Sequence, residues 1–185
     1  MIGTGAEAAL ASYAELVRRW SARLDLVAPG DLDTFEERHI ADSLEALPLV
    51  LSLPPGPALD VGSGAGLPGI PLAIADPTRQ WRLLEPRRNR AAFLEEAVRT
   101  LALDCEVVVA SAEEAARAVG MARAHPLVVA RALAPPRRAF ELLGPLVAPS
   151  GMAVVWVGAE AEIPAQAEVW RGGLAIMRCA PRFSS

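Results

Sequence analysis

From Ala58 to Val157, short apolar runs alternate with longer segments that mix apolar and polar residues at helical spacing. A chain built this way has few options: strand followed by helix, repeated, gives a parallel sheet with crossover helices on its faces. Residues 58–61, 81–85, 106–109, 127–130 and 152–157 read as strands. Residues 67–75, 89–103, 112–119 and 136–147 read as the helices between them, with Pro68 in a first turn, where a missing N–H costs little. Two further apolar runs, 167–170 and 174–177, flank Gly172 and Gly173 and read as a terminal hairpin. The fold class expected is α/β, a mostly parallel Rossmann-like sheet with helices on both faces.

The first 57 residues follow a different pattern. Leu10, Tyr13, Val17, Trp20 and Leu24 recur at spacings of three and four and predict one amphipathic helix. Pro29-Gly30-Asp31 breaks it. A second helix is expected from the Asp33-Thr34 region, with Ile40, Leu44, Leu47 and Leu51 as its buried stripe. Pro54-Pro55-Gly56-Pro57 then forms a stiff connection. The expected organisation is an N-terminal helical extension (1–57) packed on a core (58–185), together one compact domain.

The first strand runs into Asp60-Val61-Gly62-Ser63-Gly64-Ala65-Gly66-Leu67. Glycines after a parallel strand let the backbone turn sharply and approach a ligand without a Cβ in the way. The helix that follows offers free N–H groups and a positive dipole end. Two registers fit. Read from Gly62 the loop is Asp-x-Gly-x-Gly-x-Gly, the pattern of S-adenosylmethionine (SAM) sites; read from Gly64 it is Gly-x-Gly-x-x-Gly, the dinucleotide fingerprint. The dinucleotide fold places its first glycine directly after the strand, and here that glycine is Gly62. The SAM register therefore accounts for more of the loop, and NAD is the alternative. Glu85, at the end of the second strand, suits the ribose hydroxyls in either register; a surface glutamate paired with an arginine is the plainer account. Ala112 and Glu113 follow the third strand, where Ser111 and Glu114 also form a capping box.

Composition narrows the partners. All 18 basic residues are arginines, set against 22 acids for a net charge of −4. Such a balance argues against broad, non-specific nucleic-acid binding and is compatible with a small basic face. Cys105 and Cys179 stand far apart and read as buried small hydrophobes in a reducing compartment. No metal site, membrane span or secretory leader is expected, and the chain is expected to be cytoplasmic and monomeric.

Arg38-His39-Ile40-Ala41-Asp42-Ser43-Leu44, then Asp60 to Pro71, then Ala130-Arg131-Ala132-Leu133-Ala134 stand in an order that resembles the rRNA small-subunit methyltransferase G family, also called glucose-inhibited division protein B. Residues 20–26 and 93–96 extend the likeness, which covers about residues 10 to 158. The resemblance implies a class I SAM-dependent methyltransferase fold and methyl transfer to N7 of one guanine in 16S ribosomal RNA, with the RNA or the small ribosomal subunit as partner. It implies cofactor contacts at Gly62, Leu67, Ala112, Glu113 and Arg131, with Glu85 matching the family's acidic position; the SAM register of the loop adds Asp60, Gly64 and Gly66 as cofactor-binding candidates. The sequence departs from the family pattern at Ser21 and Asp25, where asparagines are expected, at Val157, where lysine is expected, and in the short segment after Gly158.

Guanine N7 has an exposed lone pair and needs no general base, so no catalytic dyad is expected. Arg131, at the mouth of the cleft, is the candidate positioning residue for the cofactor carboxylate, a phosphate or the guanine edge. Arg38 and His39 lie four residues before Asp42 and Ser43. An Arg38–Asp42 ion pair is the plain expectation, and the resemblance adds a place for this helix along the cleft. Arg87, Arg88, Arg90, Arg137 and Arg138 begin helices that follow strands, and with Arg38 and His39 they are the candidate RNA contacts. A small-molecule methyltransferase, an NAD-dependent oxidoreductase and a SAM-binding protein without catalysis are the competing functions.

Overall fold

The computed structural model describes residues 3–158, 160–170 and 173–180. Its centre is a seven-stranded sheet of β1 (Ala58–Val61), β2 (Trp81–Leu84), β3 (Cys105–Val108), β4 (His125–Ala130), β5 (Val147–Trp156), β6 (Glu168–Trp170) and β7 (Leu174–Arg178), in the order β3-β2-β1-β4-β5-β7-β6. The first five strands are parallel, and β7 runs antiparallel to both β5 and β6. The order reverses between β1 and β4. Ligand sites of open α/β sheets lie at such a switch point, beyond the carboxyl ends of the strands.

Strand residues alternate between two cores, as a two-residue period requires. Leu127, Val129, Met152, Val154, Leu174 and Ile176 face one side, while Val128, Ala130, Ala153, Val155 and Ala175 face the other. The second side is covered by α6 (Ala112–Ala115) and α7 (Pro136–Leu143). The first is covered by α4 (Gly69–Ala75), α5 (Arg88–Thr100) and the N-terminal helices α1 (Thr4–Ser21), α2 (Ala41–Leu44) and α3 (Leu47–Ser52). Helix α1 packs on α4 and α5, so the N-terminal residues form part of the layer over the glycine loop.

Several boundaries differ from the sequence expectation, for local reasons. The second helix is not one stripe. Residues Glu36–Ile40 form a π-helical turn, and the helix restarts at Leu47 with Pro48 in its first turn. The added residue rotates the face, so Ser43, Ala46, Leu49 and Val50 are buried while Leu51 is 60% exposed. Pro68 precedes α4 as its cap instead of sitting inside it. Helix α6 ends at Ala115, and Val119 is exposed. Helix α7 stops at Leu143, and β5 begins early, at Val147, with a register irregularity opposite His125 and Leu127. The terminal hairpin forms, with Gly173 at positive φ; Gly172 lies outside the described residues. No helix stands between β5 and β6 among the described residues. Both cysteines are free and half-buried rather than fully buried, and burial pushes the Cys105 thiol up to about 12. Among the described residues no helix is long and apolar enough to cross a membrane.

Candidate active site

The glycine loop continues the β1 ladder before it turns. Gly62 and Ser63 both donate their N–H to the Leu84 carbonyl, at 2.8 and 3.0 Å. Gly62, Gly64 and Gly66 all have positive φ, which L side chains adopt only at a cost. At Gly62 a Cβ would also stand 2.8 Å from Leu133 Cδ1, and at Gly66 it would collide with Ile70. The loop is therefore shaped both by its own backbone and by the close approach of its neighbours.

Asp60 lies fully buried beneath the loop. Its Oδ2 accepts the Gly69 N–H at 3.1 Å, tying the start of α4 to β1, and its Oδ1 has no hydrogen-bond partner among the described residues. Burial pushes its carboxyl up to about 7, against the opposing pull of Ser63, the Gly69 N–H and the Arg131 charge. Glu85 bridges two loops: one oxygen accepts the Gly64 N–H and the other the Arg87 N–H, both at 2.9 Å. Leu67 and Ala112 are buried, and Ser111 and Glu114 close the expected capping box. Glu113 is exposed and pairs with Arg138 at 2.9 Å.

Arg131 follows β4 and points back to the N-terminal helices. Its Nη1 donates to Asp42 Oδ2 at 2.8 Å, and its Nη2 donates to His39 Nδ1 at 3.0 Å. Accepting at Nδ1 makes His39 the neutral Nε2–H tautomer. That Nε2 lies 3.2 Å from Asp31 Oδ2, as a charge–dipole contact rather than an aligned hydrogen bond. Burial and the Arg131 charge lower the His39 pKa, with Asp31 pulling the other way. The Asp42 carbonyl in turn accepts Trp156 Nε1–H at 3.1 Å, which anchors α2 to β5. The expected Arg38–Asp42 ion pair does not form. The π-helical turn changes the register, Arg38 pairs with Asp31 at 2.6 Å, and Asp42 is taken by Arg131. Arg131 keeps Nε–H and one Nη2–H without a partner among the described residues, a fork that suits a carboxylate.

Gly62, Gly64, Leu67, Arg90, Arg131 and Leu26 are among the walls of a cleft of about 150 Å³. Arg90 reaches this lining from the start of α5 and donates to the Asp25 carbonyl at 2.7 Å. A larger cavity, about 530 Å³, lies between residues 135–137 at the start of α7 and residues 162–166 after β5. Of the candidate RNA contacts, Arg87 and Arg88 are exposed and form no ion pair among the described residues. Arg138 is held by Glu113 and Glu141, while Arg137 lies 3.8 Å from Glu141.

One residue that supports the loop carries no mark of that role in the sequence beyond a place in the core. Tyr13 is buried, and its hydroxyl donates to the Ala65 carbonyl at 2.7 Å, so α1 holds the glycine loop directly. A lone tyrosine in a helical apolar stripe carries no signal of this bond. Its partner lies 52 residues away.

A family model described as rRNA small subunit methyltransferase G matches residues 6–170. Ribosomal RNA small subunit methyltransferase G of Acidiphilium cryptum is 43% identical over 168 residues, covering 88% of this chain and 74% of that protein. The protein of the same name from Paracoccus denitrificans is 35% identical over 164 residues, covering 88% and 82%. Among solved structures, a Corynebacterium glutamicum protein superposes with a TM-score of 0.63 at 13% identity over 94% of this chain and 92% of that one. A putative methyltransferase, yhhF, from Escherichia coli gives a TM-score of 0.56 at 20% identity over 77% and 85%. At these identities the two structures speak for the fold alone.

Proposed function

Because this chain belongs to the rRNA small subunit methyltransferase G family, we propose that it transfers the methyl group of SAM to N7 of one guanine in 16S ribosomal RNA, presented by the small ribosomal subunit. The observation that carries the reading is the cleft itself: a positive-φ glycine loop at the sheet switch point, flanked by Glu85 on one side and the open fork of Arg131 on the other. The register supports SAM over NAD, since Gly62 follows β1 directly and already bonds to the β2 carbonyl.

The residues present fit such a cofactor. The positive-φ turn at Gly62 and Gly64 gives the loop a path that L side chains adopt only at a cost, Glu85 accepts from ribose hydroxyls, Leu67 and Ala112 supply apolar surface, and Arg131 receives the methionine carboxylate. Asp60 acts from below by holding the loop against α4. Glu113 stands at the rim, where Arg138 already engages it. The N-terminal helical region contributes Leu26 and Val27 to the wall of this site and, through Tyr13, His39 and Asp42, holds the glycine loop and Arg131 in place.

Bound there, SAM supplies an electrophilic methyl on a sulfonium. That methyl would suit a neutral nitrogen with a free lone pair such as N7, so no side chain of this site would have to take up a proton. The protein's work is alignment. Holding acceptor and donor in line is worth up to about 7–11 kcal/mol, and it requires only that the loop and Arg131 stay in place. Arg87 and Arg88 lie on the cleft side of the sheet and contact RNA phosphates.

Calorimetry with S-adenosylhomocysteine, SAM and NAD on the wild type and on Gly62→Arg tests the cofactor. Binding of the first two, lost in the variant, is expected, followed by methylation of small ribosomal subunits. NAD binding, or a folded protein that binds neither SAM nor S-adenosylhomocysteine, ends the reading.

A further inference from the structure

The glycine cleft and the larger cavity share one wall. The loop from β4 to α7 presents Arg131 and Ala132 to the cleft, lays Leu133 over Gly62, and presents Pro135 and Pro136 to the cavity. The opposite side of the cavity is the segment after β5, the strand that pairs with β4. The two spaces thus border one loop at the carboxyl edge of the sheet.

The cavity's chemistry is that of a base pocket. Pro135, Pro136, Ile163 and Pro164 offer flat or apolar faces, and Glu162 and Gln166 add one carboxylate and one amide. Arg137 stands at the rim with its side chain 86% exposed, held among the described residues only by a long approach to Glu141, within reach of a phosphate.

An N7 acceptor constrains how its base can be read. Arginine usually recognises guanine through O6 and N7, and here N7 must keep its lone pair for the methyl. Recognition has to come from the opposite edge, where guanine offers N1–H and the 2-amino group as two parallel donors. A carboxylate accepts both. Adenine offers a lone pair at N1 and no 2-amino group, so the same carboxylate repels it. After transfer the base is cationic, and a nearby carboxylate favours that state as well.

Resting on the guanine-N7 reading above, we infer that the cavity between the start of α7 and the segment after β5 receives the acceptor guanine, with Glu162 accepting its N1–H and 2-amino group between the proline and isoleucine faces. Glu162 is then the specificity-determining residue, and Arg137 holds the adjoining phosphate.

The test uses the full chain with Glu162→Ala and Glu162→Gln. S-adenosylhomocysteine affinity is measured by calorimetry. Binding of guanosine 5′-monophosphate and adenosine 5′-monophosphate to the S-adenosylhomocysteine-loaded protein is followed by ligand-observed NMR, and methylation of unmethylated small ribosomal subunits by methyl incorporation. Both variants are expected to keep wild-type S-adenosylhomocysteine affinity, which also shows them folded. They are expected to lose about ten- to a hundred-fold in guanosine monophosphate affinity and in kcat/KM, the cost of removing a bidentate hydrogen-bonded partner from a base. Equal binding of the two nucleotides by the wild type, or undiminished methylation by Glu162→Ala, overturns the inference while leaving methyl transfer to the subunit intact. Selective guanosine monophosphate binding that depends on Glu162, with no methylation of subunits by the wild type, has the opposite meaning: the pocket stands and the ribosomal substrate falls.

Discussion

Replacing His39 tests whether Arg131 is held by its neighbours or merely lies beside them. The Arg131 Nη2–His39 Nδ1 bond is a hydrogen bond from a charged donor, a class worth about 1.5–3 kcal/mol. The two side chains are 15% and 18% exposed, so the low end applies. The Asp42 pairing, more open to solvent, retains part of the hold. His39→Ala is expected to cost about 1.5 kcal/mol of stability in urea and, if Arg131 swings free, about tenfold in S-adenosylhomocysteine affinity. His39→Asn places an amide oxygen near the position of Nδ1 and is expected to restore most of both. The pH dependence tests whether His39 is buried as the neutral imidazole that accepts this bond. The folded state lowers the His39 pKa, through burial first and the Arg131 charge second. It therefore binds fewer protons than the unfolded chain, and the stabilisation is complete above the unfolded value of about 6.5 and lost as pH falls below it. His125, also lowered by burial, titrates in the same direction in every variant and cancels in the difference. Wild type should lose more stability than His39→Asn as pH falls from about 7.5 to about 5, the range that brackets the unfolded histidine. Parallel curves for the two, or unchanged S-adenosylhomocysteine affinity in His39→Ala, would refute the argument.

Asp60 titrates with the opposite sign. Its folded pKa is raised from 3.8 to about 7 by burial, so its contribution is complete below the unfolded value and is lost as pH rises toward 7; Asp60→Asn should lack that part of the stability–pH slope, and identical slopes in urea melts count against a buried carboxyl. Tyr13→Phe removes the donor to Ala65 and should cost about 1 kcal/mol with a several-fold loss of S-adenosylhomocysteine affinity; unchanged affinity would mean that the loop holds its shape alone. Arg87→Glu with Arg88→Glu should weaken subunit binding and flatten the slope of log affinity against log salt by about 0.7–0.9 for each phosphate that is no longer neutralised. A salt slope equal to wild type would take both residues off the RNA surface.

The features that local patterns settle are short-range ones. Four apolar-rich residues at Ala58–Val61 make a strand, and the glycines after it make a turn, because each residue's own backbone preferences and period carry the information. The capping box of Ser111 and Glu114 closes within four residues and was legible for the same reason. Alternation of strand and helix, with right-handed crossovers, then leaves little freedom in the parallel sheet. The site's fine structure was of another kind. Asp42 had an arginine four residues away and took one 89 residues away instead, because a π-helical turn moved Arg38 off its face and docking of α2 on the sheet brought Arg131 within 2.8 Å. Tyr13 reaches Ala65 and Arg90 reaches Asp25 across comparable separations, and the cavity at Glu162 exists only because the segment after β5 folds back beside α7. These interactions depend on how helices seat against a sheet. Seating is decided by side-chain shape summed over many distant residues, which no local pattern encodes.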